Sequence, residues 1–193
     1  MLSIDRNVIH KIFDYEFVNY VRLTKEEILQ VLELRNREIV RKWMFSTDPI
    51  KEEDHLKFIK QLENRDDVYY WAIKQASQIV ACFSVTNLNI DESSCETGIF
   101  FSDTSLKGFQ VILDTLFCSY HLLFNELNIK RVDGYTNVNN KFMLALNQFV
   151  GFNVIESSDN DFCHQYIDAK LFQVHQQGKN NIRDFLKLLR NKK

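Results

Sequence analysis

An α/β fold with a mixed, mostly antiparallel sheet and helices on both faces is what this sequence predicts, and three observations predict it. Apolar residues make up 45% of the 193 positions, enough to bury one core at ~100–200 residues per domain. Three β-branched and aromatic runs, at 68–74, 79–88 and 96–101, follow one another across polar turns and read as an antiparallel meander. After them the pattern changes to long helix, strand, helix, strand, strand, an order that covers both faces of a mixed sheet with helices.

The first sixteen residues show no clear period and read as an arm or a short helix. Residues 17–23 alternate apolar and polar as a first strand does. Thr24-Lys-Glu-Glu27 has the form of a capping box, so a helix follows with Ile28, Val31, Leu32 and Leu34 as its inward candidates, continuing or breaking near Asn36. Ser46-Thr-Asp-Pro49 is a turn, with Pro49 predicted at the first position of a helix over 50–62. Beyond the meander, 107–127 is the longest helix, its apolar face carried by Val111, Ile112, Leu116, Tyr120, Leu123 and Phe124. Residues 129–136 form a strand, 139–150 a helix ended by Gly151, and 152–155 with 163–172 a closing hairpin. No internal repeat and no Ser/Gly-rich linker interrupts the chain, so 1–193 is expected to be a single domain.

Lys+Arg 24 against Asp+Glu 26 gives a net charge of −2, which argues against a broad nucleic-acid-binding surface. Cys82, Cys95, Cys118 and Cys163 show no CxxC or Cys/His ligand spacing, so no metal is expected and the thiols read as buried and reduced. The longest apolar stretch, 111–124, carries Asp114, Ser119 and His121 and is too short for a bilayer of ~20 residues. Asp5, Arg6, His10 and Lys11 break any signal peptide. A cytoplasmic location is the expectation. Residues 178–193 hold six basic side chains (Lys179, Arg183, Lys187, Arg190, Lys192, Lys193) around Ile182, Phe185, Leu186 and Leu189. They read as a basic amphipathic helix, docked on its own domain or on a second copy in a homodimer, or else on a membrane surface or an acidic partner.

Four constellations carry chemistry. Leu34-Arg35-Asn36, Trp43-Met44-Phe45-Ser46 and His55-Leu-Lys-Phe58-Ile59 bring flat and polarizable side chains together with an Arg and a His. Trp43, Met44, Phe45 and Phe58 suit stacking and apolar contact, or else are core. Glu96-Thr-Gly98-Ile-Phe100-Phe101 puts a carboxylate on a strand with a glycine two residues on. Leu106-Lys107-Gly108-Phe109-Gln110-Val111 precedes the long helix, where backbone N–H groups and a helix N-terminus can hold phosphate. Asn137-Val-Asn139-Asn140 leads into a helix that carries Ala145 and Asn147 and ends at Gly151-Phe152.

Over 17–172 this order and these motifs resemble the GNAT superfamily of acetyl-CoA-dependent N-acetyltransferases. The N-terminal segments resemble the branch that acetylates the 4-amino group of a UDP-linked dideoxy sugar in pseudaminic acid synthesis. The resemblance implies a sheet splayed at its centre, acetyl-CoA as co-substrate, and a small-molecule amine, a nucleotide-linked amino sugar, as acceptor. An N-acetyltransferase for a protein N-terminus or another small amine, or a diverged acyl-CoA binder, are the alternatives. It implies that Phe100, Phe101, Ser102, Lys107, Gly108, Phe109, Gln110, Val111 and Asn140 hold the cofactor. Arg35, Asn36, Trp43, Met44, Phe45 and Phe58 would then line the acceptor side. A protonated amine is no nucleophile, so a group must take its proton; Glu96 matches the family position, and His55 is the other candidate. Two residues depart from the pattern. Gln110 stands where a second small residue belongs in the phosphate loop, and Asn147 stands where the family has the Tyr assigned to protonate the CoA thiolate. An amide is no acid, although it can hydrogen-bond sulfur.

Overall fold

The computed structural model describes residues 4–103, 108–155 and 161–176. Among them the order is β1 (His10–Ile12), β2 (Tyr15–Asn19), α1 (Lys25–Asn36), α2 (Glu38–Arg41), α3 (Glu52–Leu62), β3 (Tyr69–Gln75), β4 (Gln78–Asn89) and β5 (Ser94–Phe101). Then come α4 (Phe109–His121), β6 (Arg131–Asn137), α5 (Lys141–Val150), β7 (Asn153–Ile155), β8 (Phe162–Asp168) and α6 (Ala169–Gln176). The strands form one sheet in the order β1-β2-β3-β4-β5-β6-β8-β7. All neighbours are antiparallel except β5 and β6. No helix among the described residues is long and apolar enough to cross a membrane.

Strand alternation sorts the side chains into two layers. Tyr69, Trp71 and Ile73 of β3 and Ala81, Phe83 and Val85 of β4 join the large cluster with Leu116 and Leu113 of α4 and Phe149 of α5. Ala72 and Cys82, from the intervening positions, join the smaller cluster with Val31 of α1 and Ile59 and Leu62 of α3. Trp71 and Phe83 are each 1% exposed; truncating either to Ala would cost about 3–5 kcal/mol.

The helix ends follow their sequence signals. Thr24 accepts from the Glu27 amide while Glu27 reaches back to the Thr24 amide, and Gly151 ends α5 at φ 117°, a left-handed value that glycine adopts without strain. Elsewhere the structure corrects the reading. Residues 10–19 form a hairpin rather than an arm or helix: Phe13 turns it at φ 52°, and Ile12 and Tyr15 are buried in the large cluster. The predicted first strand stops at Asn19, whose side chain accepts from the Val21 amide and starts a 3-10 turn. The helix after Pro49 begins at Glu52, because the Asn36 side chain holds both the amide and the carbonyl of Ile50, each at 2.8 Å. The long helix is regular over Phe109–His121 and then widens over Leu122–Glu126. The last strand ends at Asp168, which caps α6 by accepting from the Leu171 amide at 2.8 Å. Phe172 is therefore a helix residue, fully buried. The predicted helix at 178–193 lies outside the described residues.

The feature that positions the site is a fork. β5 and β6 pair in parallel only at Ser94↔Arg131, Cys95↔Val132 and Glu96↔Asp133, yet β5 continues to Phe101 and β6 to Asn137. Past Glu96 the two strands part.

Candidate active site

A cavity of about 620 Å³ passes through this fork. One end lies against α1, α2 and α3, where Arg35, Trp43, Met44, Phe45, His55 and Phe58 line it; the other lies against α4 and α5, where Tyr120, Asn140, Met143 and Asn147 line it. Between them stand Glu96 to Phe100 of β5 and Gly134 to Asn137 of β6. The structure thus brings Glu96, His55, Asn147, Phe100, Asn140, Arg35, Trp43, Met44, Phe45 and Phe58 to one space.

On the helix α1–α3 side Arg35 and His55 each keep one uncommitted polar atom. Arg35 donates through Nη2 to the Ser46 carbonyl at 3.1 Å, which ties down the segment carrying Met44 and Phe45. Its Nη1 is buried with no partner among the described residues, and burial lowers its pKa. His55 is 5% exposed. Desolvation pulls its pKa below the ordinary 6.5, against a smaller opposing effect of a bond to the Ile28 backbone. Its Nε2 has no partner among the described residues, so a neutral imidazole offers a lone pair at the cavity wall. Glu96 sits where the ladder ends, half-buried, with no hydrogen-bond or ion-pair partner among the described residues. Phe45 is 75% exposed and stacks on Phe162 at 4.3 Å; Tyr135 lies flat on His164 at 4.6 Å. His164 in turn bonds Asp133 at 2.8 Å. Arg131 grips Asp133 through two 2.8 Å bonds and, with His164, holds its carboxyl below the usual range. That network fixes the Tyr135 platform at the rim.

On the helix α4–α5 side most of the polar side chains bond one another, although Gln165 Nε2 is buried without a partner among the described residues. Burial raises the pKa of Tyr120, against a smaller lowering effect of the Thr97 side chain. Asn147 Nδ2 donates to Thr136 Oγ1 at 3.1 Å and to Gln165 Oε1 at 2.9 Å. Asn140 caps α5 by accepting from the Met143 amide at 3.1 Å. Cys82 lines the cavity, and burial pushes its thiol up to about 12, so it is inert. Cys95 and Cys118 are also buried and Cys163 partly so.

Several sequence-selected residues do other work. Asn36 is not at the cavity wall; its amide is spent on Ile50. Phe101 and Phe109 face the large core, so only their backbone can meet a ligand. The Ser102 amide donates to Val80 and its carbonyl accepts from Arg37 at 3.1 Å. Gln110, expected to crowd the phosphate loop, turns along the helix to donate to Asp114 at 2.7 Å. Val111 packs against the core. Gly108 begins α4 with the Asp103 carboxylate so close that an added Cβ would stand 3.0 Å from Oδ2. Lys107 lies outside the described residues. Tyr135, Thr136, Phe162 and Tyr120 line the cavity but were not selected from sequence. For Tyr135 a signal existed: it lies two positions past Asp133, on the face that strand alternation assigns to Glu96.

A pantetheine thioester fits this arrangement. The fork leaves β5 backbone past Glu96 unpaired toward β6, and Gly98 keeps that strand thin where the Ser84 hydroxyl donates to its carbonyl. Glu96 and Phe100 on one strand and Asn140 at the head of α5 would hold the arm.

Residues 18–153 match the sequence family described as an acetyltransferase (GNAT) domain. Acetyltransferase PseH of Campylobacter jejuni serotype O:23/36 is 30% identical over 146 residues, 76% of this chain and 88% of that protein. The crystal structure of Campylobacter jejuni N-acetyltransferase PseH in complex with acetyl coenzyme A superposes with a TM-score of 0.63. It is 21% identical, over 80% of this chain and 99% of that one. Spermidine N-acetyltransferase from Vibrio cholerae, solved with CoA and spermine, superposes at 0.69 with 16% identity over 83% and 98% of the two chains. At these identities the two superpositions speak to the fold.

Proposed function

The chain belongs to the GNAT acetyltransferase family and transfers acetyl from acetyl-CoA to an amine; from that premise we propose that the amine is borne by a nucleotide-linked deoxyamino sugar. The observation that supports this is the acceptor wall. It combines aromatic and sulfur side chains, Trp43, Met44, Phe45 and Phe58, with one guanidinium whose Nη1 is buried and unpaired. Flat side chains receive a nucleobase or a deoxy-sugar methyl, and an unpaired Arg receives a phosphate oxygen. Glu96 is the one carboxylate at the cavity among the described residues. A polyamine would leave further cations without partners there, and Arg35 would repel them. The LRN, WMFS and HLxFI segments that resemble the sugar-acetylating branch are the ones that build this wall.

Bound acetyl-CoA supplies an activated acyl group. Glu96, at the end of the ladder, takes the proton that the amine sheds on attack, and His55, a neutral residue of the cavity wall, helps to orient the acceptor. Thiol release from acetyl-CoA over a panel tests the reading. A UDP-linked 4-amino-4,6-dideoxy sugar should be acetylated with kcat/KM at least about a hundredfold above spermidine or a peptide N-terminus, one charge-assisted contact and one stack apart. Preference for spermidine or the peptide would overturn it.

A further inference from the structure

Gln165 has no exposed surface, and its Nε2 is buried without a partner among the described residues. An orphaned buried N–H is rare and calls for a reason. It belongs to a trio with Thr136 and Asn147, both themselves about nine-tenths buried, and those two line the cavity. As the amides stand, Asn147 spends both protons of Nδ2 on Thr136 and Gln165, which leaves its oxygen as the uncommitted atom of the side chain. A half-turn of both amides leaves every heavy atom close to its place and exchanges the roles. Gln165 Nε2 then donates to Asn147 Oδ1, the Thr136 hydroxyl donates to the same oxygen, and Nδ2 takes the uncommitted position with its protons free. The buried orphan becomes a carbonyl oxygen, which is better tolerated than an N–H.

The reaction supplies what would favour the turned state. The amine arrives from the side of Glu96 and Arg35. As its nitrogen bonds the acyl carbon and Glu96 takes its proton, the C–S bond breaks, its electron pair passes to sulfur, and the thiolate later takes a proton from solvent. Negative charge therefore develops on the side away from the acceptor, where Asn147 lines the cavity. We propose that Gln165 is a positioning residue that holds the Asn147 amide with its N–H toward the fork, where it donates to the CoA sulfur as the thiolate forms. Asn147 is the catalytic residue of the pair, and its contribution is a hydrogen bond to charge rather than a proton.

This inference rests on acetyl-CoA as donor and not on which amine accepts, so the decisive experiment omits the amine. CoA binding is confirmed by calorimetry, and the ultraviolet absorbance of its thiolate is titrated against pH on the wild type, Asn147→Leu, Gln165→Met and the double variant. The bound thiol should have a pKa about one unit higher in Asn147→Leu than in the wild type, the equivalent of one charge-assisted bond. Gln165→Met should raise it less, and should add nothing in the Asn147→Leu background. If the Leu variant does not fold, Asn147→Ala gives the same readout. A thiol pKa that ignores Asn147, or a Gln165 effect that persists without Asn147, would overturn the proposal. Failure of the sugar panel would leave this titration untouched.

Discussion

The two faces of the fork follow opposite rules. On the α1–α3 face Arg35 Nη1 and His55 Nε2 are buried without partners among the described residues. On the α4–α5 face Asn147 bonds both Thr136 and Gln165, and Gln165 Nε2 is the one buried atom of that trio left over. A buried donor or acceptor without a partner costs about 1–3 kcal/mol, so the acceptor face is held in a state that a ligand improves. The other face is nearly complete before anything binds. Substitutions on the acceptor face should therefore alter affinity and chemistry, and those on the other face stability.

The largest effect expected is at Glu96, the one group common to both faces. Glu96→Gln keeps the shape and removes the base, so kcat should fall about 10²–10³-fold with KM for acetyl-CoA within about twofold, read by steady-state kinetics. A fall of less than about threefold would transfer the role of base to His55 and break the assignment of chemistry to the fork vertex. Next comes Arg35. Arg35→Met should raise KM for the nucleotide sugar roughly tenfold to a hundredfold, the range of a charge-assisted bond, while Tm stays level or rises because a buried orphan has been removed. A lower Tm with unchanged KM would mean that the acceptor face is satisfied after all.

How far the sequence announced this division depends on whether the signal was local. Thr24 and Glu27, Asn140, and Gly151 act within a few residues of themselves, and their caps are visible in the string. The meander was legible because β3, β4 and β5 each carry a period of two. The first hairpin was not, since β1 has three residues and Phe13, an unusual turn residue, is held by tertiary burial of its neighbours. Pro49 misled for the same reason: the helix start is set by Asn36, fourteen positions away. Around the cavity, Arg35, Met44 and Phe58 were singled out because the segments that carry them resemble one branch of the family. Gln165 was invisible, because its meaning arises only where β8 meets α5.

A smaller effect separates the faces by pH. His55 is neutral in the folded protein with its pKa lowered from 6.5, so the unfolded chain binds more protons as pH falls below that value. Its contribution to stability is therefore complete above about pH 6.5 and is lost as pH falls toward the folded value. Urea midpoints of the wild type should drop between about pH 7.5 and about pH 5.5, more than those of His55→Gln. Equal slopes would show that His55 gains a proton-stabilising partner on the acceptor face.

The smallest effect on rate is expected at Asn147. Asn147→Tyr brings an O–H donor with an intrinsic pKa of ~10 to the α4–α5 face, so sulfur keeps a hydrogen bond and kcat should stay within about threefold of the wild type, or rise. The same change removes the amide that bonds Thr136 and Gln165, and leaves both buried without their partner. Stability should fall by about 1–3 kcal/mol, read as a lower Tm at unchanged turnover. Because the phenol needs no turning, Gln165→Met should have no effect on kcat in the Asn147→Tyr background while retaining it in the wild type. A clear loss of turnover on Asn147→Tyr, with acetyl-CoA still bound, would mean that the amide does something a hydroxyl cannot. The candidate would then be its oxygen, accepting from the acceptor or a held water, and the two faces would no longer divide the work between amine and thiolate.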